Sequence, residues 1–497
     1  MSDHLFKPNE FDNDTFPSSG YARIDDIEFS RSGKTARVTF DMIDAKFIER
    51  YLREIDTARS NTTDCPPKFD SMPLFNVQVV ISIQPHTYIP GWCPCKMCNA
   101  QTRQKYQYCI YRNGREVCKA ERLLQEIFGN MGNNSNNRSS STDGLNSWFT
   151  ITKSQDTWGR SATAYKGLFS EPEKVKIHLK LSQRHIELSE IFTLPGTHKS
   201  TLDAADLKLF ENIECNRLVV FDVGQGSASA ALPNKKPLAG AENNPELYFD
   251  AGAGVYANQR TRPAHLSLPA NNAKVVILSH WDTDHWAGAT LDSTAPNTLL
   301  SKVWFAPDQV VGPRHVAFAK SIAEHGGHLI LLTPPKNSVL RIPLANGRSI
   351  RLTKGVGKDR NNTGLVASIE CSKTWAQSII LPGDCDYKFF IHLHPSPPIG
   401  LLVPHHGARL TSNRTDIPIP HPNATNPKLI YSFGPNNKHG RARTRHPTIE
   451  TIKLHQSWDH GGWNTRPGFG AAGLNVYATS EHSPAIARGN VYIDWHP

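Results

Sequence analysis

The first two hundred residues contain several short stretches in which apolar and polar side chains alternate, as in strands that bury one face. We predict strands at residues 36–40, 77–83, 148–152 and 175–181. The pattern becomes helical at residues 45–52. The chain should therefore begin with a mixed α/β domain, residues 1–200, that has a core of its own.

From Arg217 onward, short apolar segments alternate with turns and helices. We predict strands at residues 218–221, 247–249, 275–278, 303–305, 329–332, 349–352, 365–369, 378–381, 400–403 and 429–432, and helices at 204–210, 316–324 and 448–455. Several of these strands end in Asp or His, and such ends converge on one rim if the strands form layered sheets. We expect a second α/β domain at residues 210–497, with the boundary between about Pro195 and Asn216.

The segment from Val275 to Gly288 places an apolar strand directly before four polar side chains, which are His280, Asp282, Asp284 and His285. Imidazole and carboxylate groups packed so densely would be costly to bury without a cation. For any one of them an ordinary polar loop is the alternative, with Asp284 capping a helix. The four together favour a divalent metal site.

The chain of 497 residues is long enough for two or three domains. It contains no run of about eighteen apolar residues and does not begin with the apolar core of a secretory signal. We expect a soluble, cytoplasmic protein without membrane association. The formal net charge of +10 favours a polyanionic partner such as nucleic acid.

Six of the nine cysteines lie between Cys65 and Cys118, which argues against a disulfide framework. Residues 93–118 predict a structural zinc site, built from Cys93 or Cys95 together with Cys98, Cys109 and Cys118. Reduced free thiols are the alternative. Residues 129–142 are rich in Asn, Ser and Gly and predict a flexible loop.

Several short motifs follow one another in the C-terminal part. They are Phe221-Asp222-Val-Gly-Gln-Gly226, Asp250-Ala-Gly252, Ser279-His280-Trp-Asp282-Thr-Asp284-His285-Trp-Ala-Gly288, Asn361-Asn362, Leu381-Pro-Gly-Asp384, Val403-Pro-His405-His406-Gly407 and Ser432-Phe-Gly-Pro-Asn436-Asn437. In these motifs, residues 216–497 resemble the metallo-β-lactamase superfamily, and more closely its ComEC-like hydrolase domains. The transmembrane channel of ComEC has no counterpart here, so DNA uptake does not carry over.

The resemblance implies an αββα sandwich with a two-metal centre on its rim. One metal would be held by His280, Asp282 and a downstream histidine, and the other by Asp284 and His285, with Asp384 as the bridging carboxylate. One of His405 and His406 should also be a ligand; His405 is preferred and His406 is the alternative. Most superfamily members carry a histidine where this chain has Asp282, and the added carboxylate favours Mn²⁺ or Mg²⁺ beside Zn²⁺.

The other motif residues receive supporting roles by the same resemblance. Asp284, Asp384, His405 and Asn437 are the expected catalytic residues, and for Asn437 a side chain that closes its own turn is the alternative. Asp222, Asp250 and Asn362 are expected to orient ligands or substrate, with closure of their own turns as the alternative. Either His439 or His446 matches the histidine of the last motif.

Two basic clusters lie beside these motifs. The second contains Lys438, Arg441, Arg443 and Arg445, which together with His446 are the expected substrate-binding residues; the first contains Arg341, Arg348, Arg351, Lys354, Lys358 and Arg360. A solvated surface is the alternative for each cluster. Arginines beside a two-metal centre suit a phosphodiester substrate.

We therefore expect a metal-dependent phosphodiesterase or nuclease that uses a metal-bridged hydroxide. The N-terminal domain would bind nucleic acid, a protein partner or a regulatory signal. A hydrolase of a small ester, lactone or thioester is the alternative on the same centre. A module that binds nucleic acid or a partner, with an inert metal site, is the alternative from a different class.

Overall fold

A computed structural model of the protein describes residues 16–29, 35–60, 72–82, 146–233, 244–292, 297–371, 377–437, 446–458, 475–480 and 488–495. These residues divide into two compact units. The N-terminal unit contains the described residues up to Thr193 and Val311–Arg314, and the C-terminal unit contains the others, from Leu194 onward. The chain contains both helices and sheets, which confirms the α/β class. The predicted zinc cysteines and the predicted flexible loop 129–142 lie outside the described residues.

Six antiparallel strands of the N-terminal unit close into a barrel. They are β1 (Ser19–Phe29), β2 (Thr35–Asp44), β3 (Leu74–Ser82), β4 (Trp148–Lys153), β5 (Arg160–Tyr165) and β6 (Glu173–Leu181), accompanied by helices α1 (Ala45–Ser60) and α2 (His185–Ile191). Around the barrel the order is β1-β2-β3-β5-β6-β4. Alternate residues such as Val38, Phe40 and Ile177 are fully buried in one apolar core. Closure gives each barrel strand a partner on both sides, so no edge is left unpaired.

The C-terminal unit contains two sheets. The first consists of β7 (Thr197–Lys199), β8 (Arg217–Val220), β9 (Ala228–Leu232), β10 (Leu247–Ala251), β11 (Val275–Ile277), β12 (Val303–Pro307), β13 (His328–Leu332) and β21 (Val491–Asp494), in the order β21-β8-β9-β10-β11-β12-β13-β7. The second consists, in this order, of β14 (Leu340–Pro343), β15 (Arg348–Lys354), β16 (Leu365–Cys371), β17 (Gln377–Leu381), β18 (Pro398–Leu402), β19 (Lys428–Tyr431) and β20 (Val476–Ala478). The helices are α3 (Ala204–Lys208), α4 (Pro313–Glu324) and α5 (Ile449–Leu454).

The two sheets share one buried apolar cluster, to which Ile277 of β11 and Ile379 of β17 both belong. The outward faces are buried as well. Trp304 of β12 packs edge-on against Phe318 of α4, and Ile380 of β17 joins a second cluster with Trp458. Burial on both faces explains why these strands are continuous apolar runs in the sequence rather than alternating ones.

The predicted strands and helices of the C-terminal unit are all present, with ends shifted by a few residues. The sequence pattern did not reveal β7, β9, β14, β20 or β21, which are short and, in β9, rich in alanine. Within the described ranges, no helix combines the length and apolar character needed to cross a bilayer.

We predict that Ile379→Ala lowers the free energy of unfolding of the C-terminal unit by about 2–5 kcal/mol, because it opens a cavity in the cluster shared by both sheets. Urea unfolding followed by tryptophan fluorescence measures the change. Ile419→Ala is the matched control, since Ile419 is 64% exposed and its truncation should change stability by less than about 0.5 kcal/mol. Equal effects of the two variants would contradict the shared core.

A second stability prediction concerns the buried imidazole of His394. Its Nε2 lies 2.8 Å from the Thr353 hydroxyl oxygen and its Nδ1 lies 2.9 Å from the Ser368 hydroxyl oxygen. Burial, reinforced by the charge of Arg351, lowers the pKa of His394 to about 3. The unfolded chain, with an ordinary histidine pKa near 6.5, therefore binds this proton more readily than the folded chain does.

The stability contributed by neutral His394 is present above about pH 6.5 and is lost as the pH falls towards 3, by about 1.4 kcal/mol per pH unit. His394→Gln keeps groups that can hydrogen-bond both hydroxyls and cannot titrate. We predict that this variant loses less stability than the wild type between pH 6 and pH 4, in urea unfolding at each pH. Parallel pH profiles would contradict the prediction.

Candidate metal centre

Strand ends from both sheets of the C-terminal unit deliver the predicted ligands to one place. In the first sheet, β11 runs into His280, and a 3-10 turn at Thr283–His285 follows. In the second sheet, β17 runs into Asp384 and β18 runs into a turn at Pro404–Gly407. β11 is parallel to β10 and β12, and β18 is parallel to β17 and β19. The polar residues therefore gather where parallel strands end.

Asp384 lies at the centre of the group. Its Oδ1 is 3.0 Å from Nε2 of His285 and 3.9 Å from Nε2 of His406. Its Oδ2 is 3.5 Å from Nε2 of His405 and 3.7 Å from Nε2 of His280. Each carboxylate oxygen thus faces a different pair of imidazoles, an arrangement in which one carboxylate can bridge two cations.

Two overlapping sets of side chains have the spacing of a metal site. One set is His280, His285 and Asp384; the other is Asp284, His285 and His406, and the ligand atoms within each set lie within 4.8 Å of one another. Nε2 of His406 is 3.3 Å from Oδ2 of Asp284. Five of the predicted ligands are therefore close enough to bind cations together.

The hydrogen bonds of the outer ring nitrogens determine which nitrogen of His285 and of His406 can bind a cation. Nδ1 of His285 lies 2.7 Å from Oδ2 of Asp250, and Nδ1 of His406 lies 2.9 Å from the carbonyl oxygen of Ser432. Because both partners are acceptors, Nδ1 of each histidine carries the hydrogen and donates the hydrogen bond. The two Nε2 atoms are buried and make no well-directed hydrogen bond within the described part of the chain. Their lone pairs fit a divalent cation.

Ser279 connects the first two histidines to Asp250. Asp250 accepts hydrogen bonds from the Ser279 backbone nitrogen at 2.7 Å and from the Ser279 hydroxyl at 2.9 Å. Since the hydroxyl hydrogen is used on Asp250, its oxygen is free to accept from Nδ1 of His280 at 3.0 Å. One buried carboxylate thereby orients His285 directly and His280 through Ser279.

Two glycines, Gly252 and Gly383, allow close contact with the segment that carries Ser279 and Asp284. A Cβ at Gly252 would lie 1.7 Å from the backbone oxygen of Asp284. Gly383 has a φ of +56°, and a Cβ there would lie 2.4 Å from the Ser279 hydroxyl oxygen. Any larger residue at either position would displace a predicted ligand or its support.

The adjacent histidines His405 and His406 both adopt left-handed backbone conformations, with φ of 51° and 53°. Such conformations are costly in non-glycine residues and persist only when the surroundings impose them. Helix α5 supplies part of that constraint, because the Thr448 nitrogen donates to the Gly407 carbonyl at 2.8 Å. Ala408, the next residue, is also held by this part of the chain, because the Thr451 hydroxyl donates a hydrogen bond to the Ala408 carbonyl.

The strained turn gives the two histidines different surroundings. His406 is buried and belongs to the set with Asp284. The His405 side chain is 34% exposed and lies beside Asp384. The sequence favoured His405 as the ligand. The geometry instead favours His406, with His405 at the open side of the centre.

The carboxylates and imidazoles shift one another's protonation. Burial alone would raise the pKa of Asp384, but the four surrounding histidines, His405 foremost, hold that pKa well below its usual range. Burial alone would lower the pKa of His285, but Asp384 and then Asp250 raise it well above its usual range. Both shifts have one cause, because the negative charge of Asp384 and positive charge beside it stabilise each other.

Asp282 is engaged differently from the other acidic residues. Its Oδ1 is 2.7 Å from Nε of Arg360 and its Oδ2 is 3.2 Å from Nε2 of His280. Burial would raise the pKa of Asp282, but Arg360 and then His280 lower it. Asp282 belongs to neither metal-binding set, so in this geometry it contacts a predicted ligand and is paired with an arginine.

Arg360 is held in place by its own neighbours. The amide of Gln309 donates to the Arg360 carbonyl at 2.7 Å and to the Thr363 hydroxyl at 3.0 Å. Arg351, from the same basic cluster, has a different partner. Its Nε lies 2.8 Å from Oε1 of Glu370.

Asp222 and Asn362 are not brought to the histidines. Asp222 forms a two-pronged ion pair with Arg488, at 2.6 and 2.7 Å, and accepts from the Gly224 nitrogen. Asn362 binds Asp359 through its backbone and side-chain nitrogens and accepts from the Asp386 nitrogen. The bonds to Gly224 and Asp359 are local and agree with the alternative of a side chain that closes its own turn, whereas Arg488 and Asp386 are distant in the sequence.

Asn437 is also occupied by backbone. Its amide donates to the carbonyls of Gly434 and His446, and its oxygen accepts from the His446 nitrogen. Among the described residues, the side-chain amide of Asn437 bonds only Gly434 and His446, so the expected catalytic contact is not formed there. It instead fixes His446, whose ring centre lies 5.6 Å from that of His405. Among the expected substrate-binding residues, Lys438, Arg441, Arg443 and Arg445 lie outside the described residues, as does His439.

Sequence reasoning missed the roles of Ser279, Arg360 and Asn361. The side-chain amide nitrogen of Asn361 lies 3.4 Å from Nδ1 of His405, so Asn361 rather than Asn362 approaches the centre. Ser279 could have been noticed because it directly precedes His280 at a strand end. The contact between Arg360 and Asp282 depends on tertiary structure and has no local signal.

Neither a comparison with protein-family models nor a comparison with curated protein sequences found a match to this chain.

We predict that Asp250→Asn weakens the binding of Mn²⁺ or Zn²⁺ by about 10–100-fold, because His285 and Ser279 lose the carboxylate that orients them. Asparagine tolerates the φ of 55° at this position. Isothermal titration with each metal, after removal of bound metal by chelation, measures the change. Asp292→Asn, the same substitution at an exposed residue of the same unit, should leave affinity unchanged. Equal affinities of both variants would contradict the role of Asp250.

Proposed function

We propose that this chain is a metal-dependent hydrolase of phosphodiesters, acting as a nuclease or phosphodiesterase. The observation that carries the proposal is the set of buried Nε2 atoms on His280, His285 and His406, which converge on the carboxylates of Asp284 and Asp384. A donor set of imidazoles and carboxylates suits Zn²⁺ and Mn²⁺.

We further propose that the C-terminal unit has the αββα architecture of metallo-β-lactamases, in its ComEC-like form. Two sheets with a common core support this, as do the helix α4 and the segment around Trp458 against their outward faces. The positions of three motifs also support it, because the segments 279–288, 381–384 and 403–407 follow strands β11, β17 and β18 around Asp384.

Each side chain would have a defined task. His280, His285, His406, Asp284 and Asp384 would hold two cations, with Asp384 between them. Divalent cations bound there would supply an activated water and positive charge opposite the phosphate oxygens. Asp250 and Ser279 keep the lone pairs of the histidines directed inward, and Arg360 fixes the carboxylate of Asp282. His405, at the open side, is placed to contact a substrate or to exchange a proton with it.

The choice of a phosphodiester rests on charge. The chain carries a formal net charge of +10, and the guanidinium of Arg360 lies beside the centre, where it is paired with Asp282. A phosphodiester is an anion before it reacts and gains further charge on its oxygens during cleavage, whereas an ester, lactone or thioester is neutral before it reacts.

We predict that Asp384→Asn lowers metal-dependent cleavage by more than about 100-fold, because it removes the central carboxylate, whose loss should exceed the effect of an orienting residue. Purified protein is analysed for bound metals and then incubated with labelled DNA, RNA and cyclic nucleotides in Mn²⁺, Zn²⁺ or Mg²⁺. Asp292→Asn is the matched control and should cleave like the wild type. Unfolding curves of the two variants confirm that both are folded.

Equal cleavage by Asp384→Asn and the wild type would refute the proposed centre. Turnover of small esters, lactones or thioesters without cleavage of any phosphodiester would assign the centre to the alternative hydrolase. Metal binding without turnover of any of these substrates would favour an inert metal site.

A further inference from the structure

The outward face of β6 in the barrel carries four basic side chains in a row. Lys174, Lys176, His178 and Lys180 are exposed, and the residues between them, such as Val175 and Ile177, point into the barrel core. Alternate residues of an antiparallel strand are about 6.8 Å apart, so the row extends over about 20 Å. We call these four residues the β6 stripe.

A tryptophan stands beside the β6 stripe with its side chain in solvent. Trp158 is 88% exposed, the largest value among the exposed large apolar residues described. Its turn is well fixed, because Asp156 accepts from the Trp158 nitrogen at 2.9 Å and from the Gly159 nitrogen at 3.0 Å. The indole is therefore presented by an ordered turn.

Two contacts join this turn to the stripe. The Lys176 ammonium lies 3.5 Å from the Thr157 carbonyl, and Nε2 of His178 lies 3.4 Å from Oδ2 of Asp156. An exposed row of lysines is common on protein surfaces and needs no function. An ordered tryptophan exposed beside it is uncommon, because indoles normally bury most of their surface.

Small hydroxyl residues flank the stripe on both neighbouring strands. Thr152 of β4 pairs with His178, and Thr150 pairs with Lys180. On the other side, Ser161 of β5 pairs with Lys176. Hydroxyl groups beside ammonium groups are common contacts of phosphate and sugar oxygens.

We propose that the β6 stripe and Trp158 form a binding surface for single-stranded nucleic acid. The lysines match a chain of phosphates, and the exposed indole face can stack on a base. Only an unpaired base offers its face to a protruding side chain, which excludes the paired bases of a duplex. The proposal relies on the proposed function only for choosing nucleic acid among polyanions.

Fluorescence anisotropy tests this surface on the full-length protein, with labelled DNA and RNA single strands and a DNA duplex, in EDTA so that no cleavage occurs. Trp158→Ala should weaken single-strand binding about tenfold or more, and Trp158→Phe should retain part of the affinity. The triple variant Lys174→Gln, Lys176→Gln and Lys180→Gln should reduce the slope of log affinity against log salt by about 2. The arms with DNA and RNA decide which of the two binds more tightly.

A matched control removes three other exposed lysines, through Lys208→Gln, Lys336→Gln and Lys453→Gln. It has the same net charge as the stripe variant and should bind nearly as the wild type does. Unfolding curves establish that all variants are folded. Equal losses in both triple variants would mean a general charge effect and would overturn the proposal.

Three other results would also overturn it. They are unchanged binding in Trp158→Ala, tighter binding of the duplex than of single strands, and binding of anionic vesicles or an acidic peptide but not of oligonucleotides. Failure of the two proposals can be distinguished, because Asp384→Asn should bind single strands normally without metal. Binding that depends on Trp158, without any cleavage, would refute only the proposed hydrolase.

Discussion

The burial of negative charge at the strand ends is the constraint on which the C-terminal unit depends. Asp250 and Asp384 are almost fully buried, and Asp282 and Asp284 lie beside them with little exposure. Carboxylates in such a space are tolerated only with positive partners. The imidazoles around Asp384 and the guanidinium of Arg360 supply that charge in the protein itself. The proposed divalent cations would satisfy the same requirement. They would also bind the buried Nε2 atoms of His280, His285 and His406, which have no well-directed hydrogen bond among the described residues.

Much of this arrangement could be predicted from the sequence, because it depends on local patterns. Strands buried on both faces appear as continuous apolar runs, and the polar residue that ends each run is visible next to it, as with His280 and Asp384. The distinction between His405 and His406 could not be predicted, since it depends on two consecutive left-handed residues. The pairing of Arg360 with Asp282 depends on segments that meet only in the folded unit.

In the barrel too, the sequence shows which residues of a strand face inward but not which strands pair. The period-two pattern of β6 correctly separates inward residues such as Val175 from outward residues such as Lys176. Closure of the barrel depends instead on the pairing of β1 with β4, which are far apart in sequence. The position of Trp158 beside the stripe likewise follows from the turn built on Asp156, for which composition gives no signal.

A metal centre needs enclosed ligands, whereas binding a polymeric anion needs many exposed cations. The proposed metal ligands are mostly enclosed, and Arg360 is paired with Asp282. Few groups of the centre would therefore remain to bind phosphates beyond the one that the proposed reaction cleaves. Affinity for a polyanion arises mainly from many exposed cations that displace counterions. Arg351 is already paired with Glu370, so among the described residues exposed lysines are one source of that affinity. The proposed binding surface on the β6 stripe would meet this demand, and Trp158 would add a preference for unpaired bases that cation binding alone cannot provide.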